Sequence, residues 1–377
     1  MTVLAEDGRC WRLTEEVGRG GEGQVYAVAG QPELVAKIVP HPIDGPQHRR
    51  RIERLVGHRR QPRTTRLLDG SLGTVAWPLL AVRTRRGELG GYLMTNLRPR
   101  YRPLDHLLDA GARAEHFPAA DWATALRAAA RLAALLALAH EAEYLLGDLK
   151  PDNVWVDAEG YVALSDLDSW QFTDREELFA SRMRSPGYTA PERITDPEGP
   201  LTAAADDFVL AVLVHQLLLA DLHPFHGTPA DGGPYHSKDD NLLHGRCHLT
   251  DPRSLLRPAQ LPPADLLPGA VRDRLRAAFG PTGRADPQSR PTAADWAGAL
   301  AAELAPERLW RCPANRRHVY TAERAWCPWC DLARAGRPQY REDTPAPDHP
   351  AGPLADSAAA PTPVLAPGPG PASRRMR

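Results

Sequence analysis

The chain has 377 residues, 42% of them hydrophobic, and a formal net charge of −1. That length suits a large globular body of two parts, and the near-zero charge supplies no field to attract nucleic acid or a membrane surface. Five cysteines, three of them within 312–330, do not make a secreted disulfide framework. The N-terminus MTVLAEDGRC lacks the basic and apolar regions of a secretory signal, and the longest apolar runs are too short to span a bilayer. A cytoplasmic protein with no membrane span and no nucleic-acid partner is expected.

Residues 11–39 alternate apolar positions with turn signals, which predicts a strand meander. An Arg-rich helix follows over 46–60, with Ile52, Leu55 and Val56 at helical spacing. The Arg49–Arg66 stretch reads as a solvated helix face or as a docking patch for an acidic partner. TVAWPLLAV and GGYLMTNL predict two more strands, parted by the turn TRRGELG. From about 103 the pattern turns helical: a short helix at PLDHLL and a long one over 120–142. Strands at VWVD and YVALSD precede helices near 203–220, 268–279 and 291–304. From 336 the chain is rich in Pro, Ala, Gly and Arg and is expected to be disordered.

Three stretches carry chemistry. In GRGGEGQV, Gly18, Gly20 and Gly23 stand in G-x-G-x-x-G order. Glycine lets backbone N–H groups approach phosphate oxygens, although hairpins use it as readily. A strand-like stretch follows where a dinucleotide fold would have a helix, and no Gly-Lys-Ser/Thr ends the loop as in a P-loop. Lys37, in VAKIV, is either an outward-facing strand residue or the cation that holds the α- and β-phosphates. In the second case Glu53, on the Arg-rich helix, is its natural carboxylate partner.

The third stretch is YLLGDLKPDNVWV, which is either an ordinary turn or a catalytic loop. Asp148 can orient an acceptor hydroxyl and take its proton, Lys150 can neutralise a transferred phosphoryl group, and Asn153 can hold magnesium. Asp166, thirteen residues further on, is placed for a second metal contact. The order and spacing of these groups carry more weight than any one of them.

The order G-x-G-x-x-G-x-V, A-K-I, D-x-K-P-x-N, Asp166 and Ala190-Pro191-Glu192 resembles the protein-kinase signature set. The chain resembles a bacterial eukaryotic-like Ser/Thr protein kinase from about residue 10 to 306. LSDLDSWQF resembles a subgroup with D-x-D-S-W/F-Q at this place and a Cys-rich or helical C-terminal extension. The resemblance implies an α+β, bilobal kinase fold: a β-rich N-lobe over 10–97 and a helical C-lobe over 98–308. It implies ATP and Mg2+ (or Mn2+) as cofactors. ATP would meet Gly18, Gly20, Gly23, Val25, Ala36, Lys37 and Glu53, with Met94 near the gatekeeper place and Asn96 in the hinge. Asn153 and Asp166 would hold the metal, and Asp148 and Lys150 would act on the acceptor.

SPGYTAPE resembles the end of the family's activation segment, Asp206 its buried helix Asp, and Arg290 the late Arg that pairs with Glu192. Lys150 and Ser185 match the positions that mark Ser/Thr specificity, so the expected partners are proteins phosphorylated on Ser or Thr, this chain included. Ser185 and the APE triplet also favour a peptide acceptor over a small molecule.

The chain departs from the pattern in three places. Leu146-Gly147-Asp148 replaces His-Arg-Asp, and the missing Arg implies activity without a phosphate on the activation segment. Asp166-Leu167-Asp168 replaces Asp-Phe-Gly, which removes a rotating hinge and leaves Asp168 as a conceivable extra metal ligand. Ala211 stands where many members have Gly, a matter of packing. No group expected to touch ATP, metal or hydroxyl is lost. An active kinase is therefore the expected function, with a nucleotide-binding pseudokinase or an adaptor working through its C-terminal module as the alternative.

That module, over 309–335, holds Cys312, His318, Cys327 and Cys330 in C-x5-H-x8-C-x2-C spacing. Two thiolates in a knuckle with two further ligands close a tetrahedron for structural Zn2+. So short a segment has a thermodynamic need for the metal. A redox pair at CPWC and an unliganded turn are the other readings. The module is expected to recruit a partner or substrate. His223, His226, His236, His244 and His248, irregularly spaced in a Gly/Pro loop, are not expected to bind metal.

Overall fold

The computed structural model describes residues 1–20, 23–39, 45–69, 73–83, 89–256, 262–342 and 352–353. Six strands close a small barrel in the order β1 (Thr2–Ala5), β2 (Cys10–Arg19), β3 (Gln24–Val28), β4 (Gln31–Ile38), β7 (Leu89–Thr95) and β6 (Leu80–Arg83). The first strand lies ahead of the expected N-lobe boundary at 10, yet pairs with both β2 and β6 and so belongs to the barrel. Val3, Leu13, Ala36, Ile38, Val82 and Leu93 fill the barrel. Closure removes the sheet's open edges. Helix α1 (Gly45–His58) lies across the barrel, followed by α2 (Pro62–Leu67).

TVAWPLLAV, expected as one strand, divides. Its first part, β5 (Gly73–Val75), pairs in parallel with β10 (Val162–Leu164) of the lower lobe, whereas β6 belongs to the barrel. Pro78 lies in the crossing; with no N–H to donate it cannot sit inside a ladder. This segment therefore joins the two lobes. The lower sheet runs β5–β10–β9–β8, with β9 at Val154–Val156 and β8 at Arg102–Pro103.

The C-lobe is helical. After α3 (Asp105–Leu108) and α4 (Ala110–His116), α5 (Trp122–Glu141) starts at a capping box between Asp121 and Thr124, which satisfies exposed N–H groups of the first turn. Among the described residues α5 is the one helix long and apolar enough to cross a membrane, and most of it is buried in the protein core. Helix α7 (Ala203–Leu218) is buried on every side, which explains its unbroken apolar run. The β11–β12 hairpin (Phe172–Asp174, Glu177–Phe179), α6 (Pro191–Thr195), α8 (Lys238–Leu243), α9 (Gly269–Phe279), α10 (Pro281–Ala285) and α11 (Ala293–Ala302) complete the lobe.

The C-terminal module consists of β13 (Leu309–Arg311), β14 (Val319–Thr321) and α12 (Pro328–Arg334), with β15 (Gly352–Pro353) pairing on β13. It does not stand apart. Leu309, Val319, Tyr320, Trp329 and Tyr340 join the same apolar core as α5 and α7. Arg113 donates to the Gln339 carbonyl at 2.7 Å, and its guanidinium lies 4.9 Å from the Tyr340 ring centre. The described chain thus continues past the expected end at 335, through residue 342 and again at 352–353. Most of the tail expected to be disordered lies outside the described residues, as does most of the TRRGELG turn.

Candidate active site

The lobes enclose a cleft of about 490 Å³, lined by Gly18, Gly20, Gly23 and Val25 from above and by Asp148, Lys150, Asn153 and Asp166 from below. Strand alternation sets the upper lining. Lys37 and Val35, two residues apart on β4, face the cleft, whereas Ala36 between them is buried inside the barrel. The expectation for Ala36 is therefore corrected to Val35, as the period of two requires. Met94, Thr95 and Leu97 line the hinge side. Asn96 does not: its side chain donates to the Pro32 carbonyl at 2.8 Å and accepts from the Arg98 N–H at 3.2 Å.

Trp155 and Arg98 are among the lining residues that no motif in the sequence marks. Trp155, two residues past Asn153, forms part of the floor and donates to Ser165 Oγ at 3.2 Å. Arg98, just past the hinge, lies 5.5 Å from the Trp155 ring centre and donates to the Val17 carbonyl at 2.6 Å. A Cβ on Gly18 would stand 2.6 Å from the Arg98 guanidinium, the movable end of a flexible side chain.

In the lower lobe, Asp148 is buried at the centre of a hydrogen-bonded group. Lys150 Nζ donates to its Oδ2 at 2.7 Å, Ser185 Oγ to its Oδ1 at 2.6 Å, and Asn153 Nδ2 to its backbone carbonyl at 2.9 Å. Lys150 also reaches Ser185 Oγ at 3.0 Å. The loop itself is anchored from beneath: the carboxylate of Asp206 accepts from the N–H groups of Leu146 and Gly147 at 2.7 and 2.9 Å. Glu192 and Arg290 form a two-pronged pair at 2.7–2.8 Å, and Arg290 also donates to the Gly283 and Ala204 carbonyls.

Lys37 departs from expectation. Glu53 does not meet it; its carboxylate faces Arg83 at 3.6 Å on the outer side of α1. Lys37 instead pairs with Asp166 and, at 2.7 Å, with Asp168. Burial pushes the Asp166 carboxyl up against the pull of Lys37. Burial would raise Asp168 too, but Lys37, His48 and Tyr92 together outweigh it and hold that group below its ordinary range. Asp166 keeps 24% of its side chain exposed at the cleft, whereas Asp168 has none. An oxygen donor set of Asn153 and Asp166 at an open wall suits a hard cation such as Mg2+. Asp168 is sealed from the cleft, which removes it as an extra ligand.

Three arginines of the Arg-rich helix reach the segment after Asp166, while Arg50, Arg59, Arg60 and Arg66 of the Arg49–Arg66 stretch stay exposed. Arg51 donates to the backbone carbonyls of Trp170 and Ala180, Arg54 pairs with Asp174 at 3.1 Å, and Arg50 pairs with Glu177 at 2.8 Å. Part of a helix surface expected to face solvent or a partner thus grips the segment after Asp166. Gly147 faces the same segment. Its φ is +72°, and a Cβ there would lie 2.8 Å from that of Ser181 and 3.0 Å from Leu201, so no larger residue fits.

Far from the cleft, the ligand atoms of Cys312, His318, Cys327 and Cys330 all lie within 4.8 Å of one another. Cys312 Sγ and Cys330 Sγ are 3.5 Å apart, and His318 Nδ1 is 3.4–3.5 Å from the sulfurs of Cys330 and Cys327. These gaps are too long for a disulfide and close to the edge of a zinc tetrahedron, about 3.8 Å for zinc–sulfur bonds of about 2.3 Å. Burial holds His318 down at about 4, so its ring is a neutral donor. It is the only such cluster of three or more His, Cys, Asp or Glu groups among the described residues. His223, in the His-rich loop, instead bonds the Gly187 carbonyl at 2.8 Å.

A strand barrel over a helical lobe, with a Lys above and an Asp-Lys-Asn loop and a second Asp below, defines a scaffold for handling nucleotide phosphates next to a hydroxyl. The model of the protein kinase domain matches residues 102–295, just over half of the chain. The chain belongs to the protein kinase domain family. It is 28% identical over 342 residues to protein kinase YegI of Escherichia coli O157:H7, covering 89% of this chain and 51% of that protein. The same protein of strain K12 matches at 28% over 343 residues, with the same coverage. The serine/threonine-protein kinase sgk-1 of Caenorhabditis elegans is 27% identical over 149 residues, 38% of this chain and 28% of that protein. The chain spans about half the length of the two bacterial relatives.

Proposed function

We propose that the chain transfers the terminal phosphoryl group of ATP to Ser and Thr hydroxyls of proteins, itself included. The observation that carries this reading is the Asp148–Ser185 contact: a chain hydroxyl already donates to a buried cleft carboxylate that also faces the Lys150 ammonium group. An acceptor hydroxyl at the same carboxylate would be oriented and relieved of its proton, and Lys150 would meet the charge that develops. Lys37 and the glycine-lined roof would hold the phosphates. Asn153 and Asp166 would hold Mg2+, which would supply positive charge to neutralise the phosphates.

The reading extends to control. The family's activation-segment phosphate meets an Arg whose place here is filled by Gly147, with Ser181 packed against it. The Arg51 bonds to Trp170 and Ala180 supply another anchor for that segment. The enzyme therefore needs no such phosphate. At the C-terminus, Cys312, His318, Cys327 and Cys330 would hold a structural Zn2+; with every ligand place filled by protein, it has no catalytic role.

The test is phosphate incorporation by the purified chain with Mg-ATP and a generic protein acceptor. Transfer above Lys37→Met and Asp148→Asn controls is expected. Incorporation no greater than in those controls, with nucleotide still bound, would favour a pseudokinase.

A further inference from the structure

The anchor of Lys37 has moved. A Lys that holds phosphates needs a fixed carboxylate behind it, because four rotatable bonds otherwise leave its ammonium group free to wander. Helix α1 cannot supply one. Its sole acidic residue is Glu53, and that side chain is turned outward to Arg83. The position that faces inward is the neighbouring Ile52, fully buried against Val35, Tyr92 and Met94. Rotating α1 to bring Glu53 inward would break the Arg51 bonds to Trp170 and Ala180.

Asp168 stands where such a carboxylate is needed. Its Oδ1 accepts from Lys37 Nζ at 2.7 Å and from the Tyr92 hydroxyl at 2.8 Å. The residue is held by a short helical turn over Leu167–Ser169, in which Ser169 Oγ donates to the Asp166 carbonyl at 2.7 Å. The turn brings the carboxylates of residues 166 and 168 to the same ammonium group. One of them is open to the cleft and the other is sealed. That division separates their roles, since a bound cation can reach only Asp166.

We infer that Asp168, oriented by Tyr92, is the positioning carboxylate for Lys37, in place of a helix-borne Glu. Resting on the nucleotide reading above, this assigns Asp168 to hold Lys37 when a metal–nucleotide occupies Asp166. It also ties the ammonium group to the loop after β10, so a shift of α1 does not uncouple it.

The test compares binding of ADP and of adenosine by calorimetry on the full chain, for wild type, Asp168→Asn, Tyr92→Phe and Glu53→Gln. Only ADP carries phosphates for Lys37, so a residue that acts through Lys37 separates the two ligands, whereas general damage to the fold weakens both. Asp168→Asn is expected to weaken ADP binding about tenfold or more, the scale of one charge-assisted contact, and to leave adenosine unchanged. Tyr92→Phe should show the same pattern to a smaller degree, and it serves alone if Asp168→Asn does not fold. Glu53→Gln should change neither. ADP binding that survives Asp168→Asn or Tyr92→Phe intact, or that falls with Glu53→Gln, overturns the assignment. Wild-type chain that binds no ADP overturns the nucleotide reading itself, and the assignment with it.

Discussion

Ser185 Oγ donates a hydrogen bond of 2.6 Å to Asp148 Oδ1, while Lys150 Nζ contacts both residues. A hydroxyl of the segment after Asp166 thus meets the Asp148 loop, beside the backbone bridge between Leu145 and Gln171. Ser185→Ala removes a hydrogen bond to a charged group, worth about 1.5–3 kcal/mol. Steady-state kinetics should show kcat reduced by about ten- to a hundredfold, with KM for ATP unchanged, and Ser185→Thr should restore most of it. A KM change alone would mean that Ser185 serves nucleotide binding.

Removal of phosphate should leave the enzyme active. Phosphatase-treated protein is expected to keep its initial rate, because Arg51 holds the activation segment through backbone carbonyls. Arg51→Ala should lower the rate of treated and untreated protein alike. Loss of activity on dephosphorylation would show that the segment depends on a phosphate after all.

Gly147 should tolerate no return to the family's Arg. At φ +72° a non-glycine residue costs about 1–3 kcal/mol, and Ser181 and Leu201 leave it no room. Thermal unfolding of Gly147→Arg is expected several degrees below wild type. Equal stability, together with a new dependence on activation-segment phosphate, would mean the segment can swing away.

The Cys/His cluster should bind about one equivalent of zinc, lost in Cys327→Ser. Because Tyr320, Trp329 and Tyr340 share the core of the C-lobe, chelation should lower the melting temperature of the whole domain. Metal analysis and calorimetry on the full chain check both. Two independent transitions would show that the module melts alone.

Acid should act through buried histidine. Burial pushes His223 down to about 3 in the folded protein, well below its ordinary 6.5. A group with a depressed folded pKa binds more protons when unfolded. Its contribution to stability is therefore full above pH 6.5 and declines as the pH falls toward 3. Wild type should lose up to about 1.4 kcal/mol per pH unit more than His223→Gln over that window. Parallel denaturation curves for the two proteins would show that His223 does not titrate on unfolding.

By itself the sequence determined the features that depend on local order. The D-x-K-P-x-N loop and the glycine-rich turn sit at fixed spacings, each set by one turn and the strands beside it, whereas Asp206 and the Glu192–Arg290 pair, 98 residues apart, were legible only through the family resemblance. The Cys/His set was legible for the same reason, because its donors lie within one short stretch. The tertiary structure decided what depends on which way a helix or strand faces a distant partner. Glu53 was the acidic residue on the expected helix, but a helix turns about 100° per residue, and that carried it to Arg83 while Ile52 took the inner face. Ala36 adjoins Lys37 along the chain, yet the strand's alternation put Val35 in the cleft. Trp155 and Arg98 became cleft residues only once the lobes closed, and the Arg-rich helix became a clamp only once the activation segment lay beneath it. Asp168 is the sharpest case: Lys37 lies 131 residues away, and no local rule joins them until the fold buries both together.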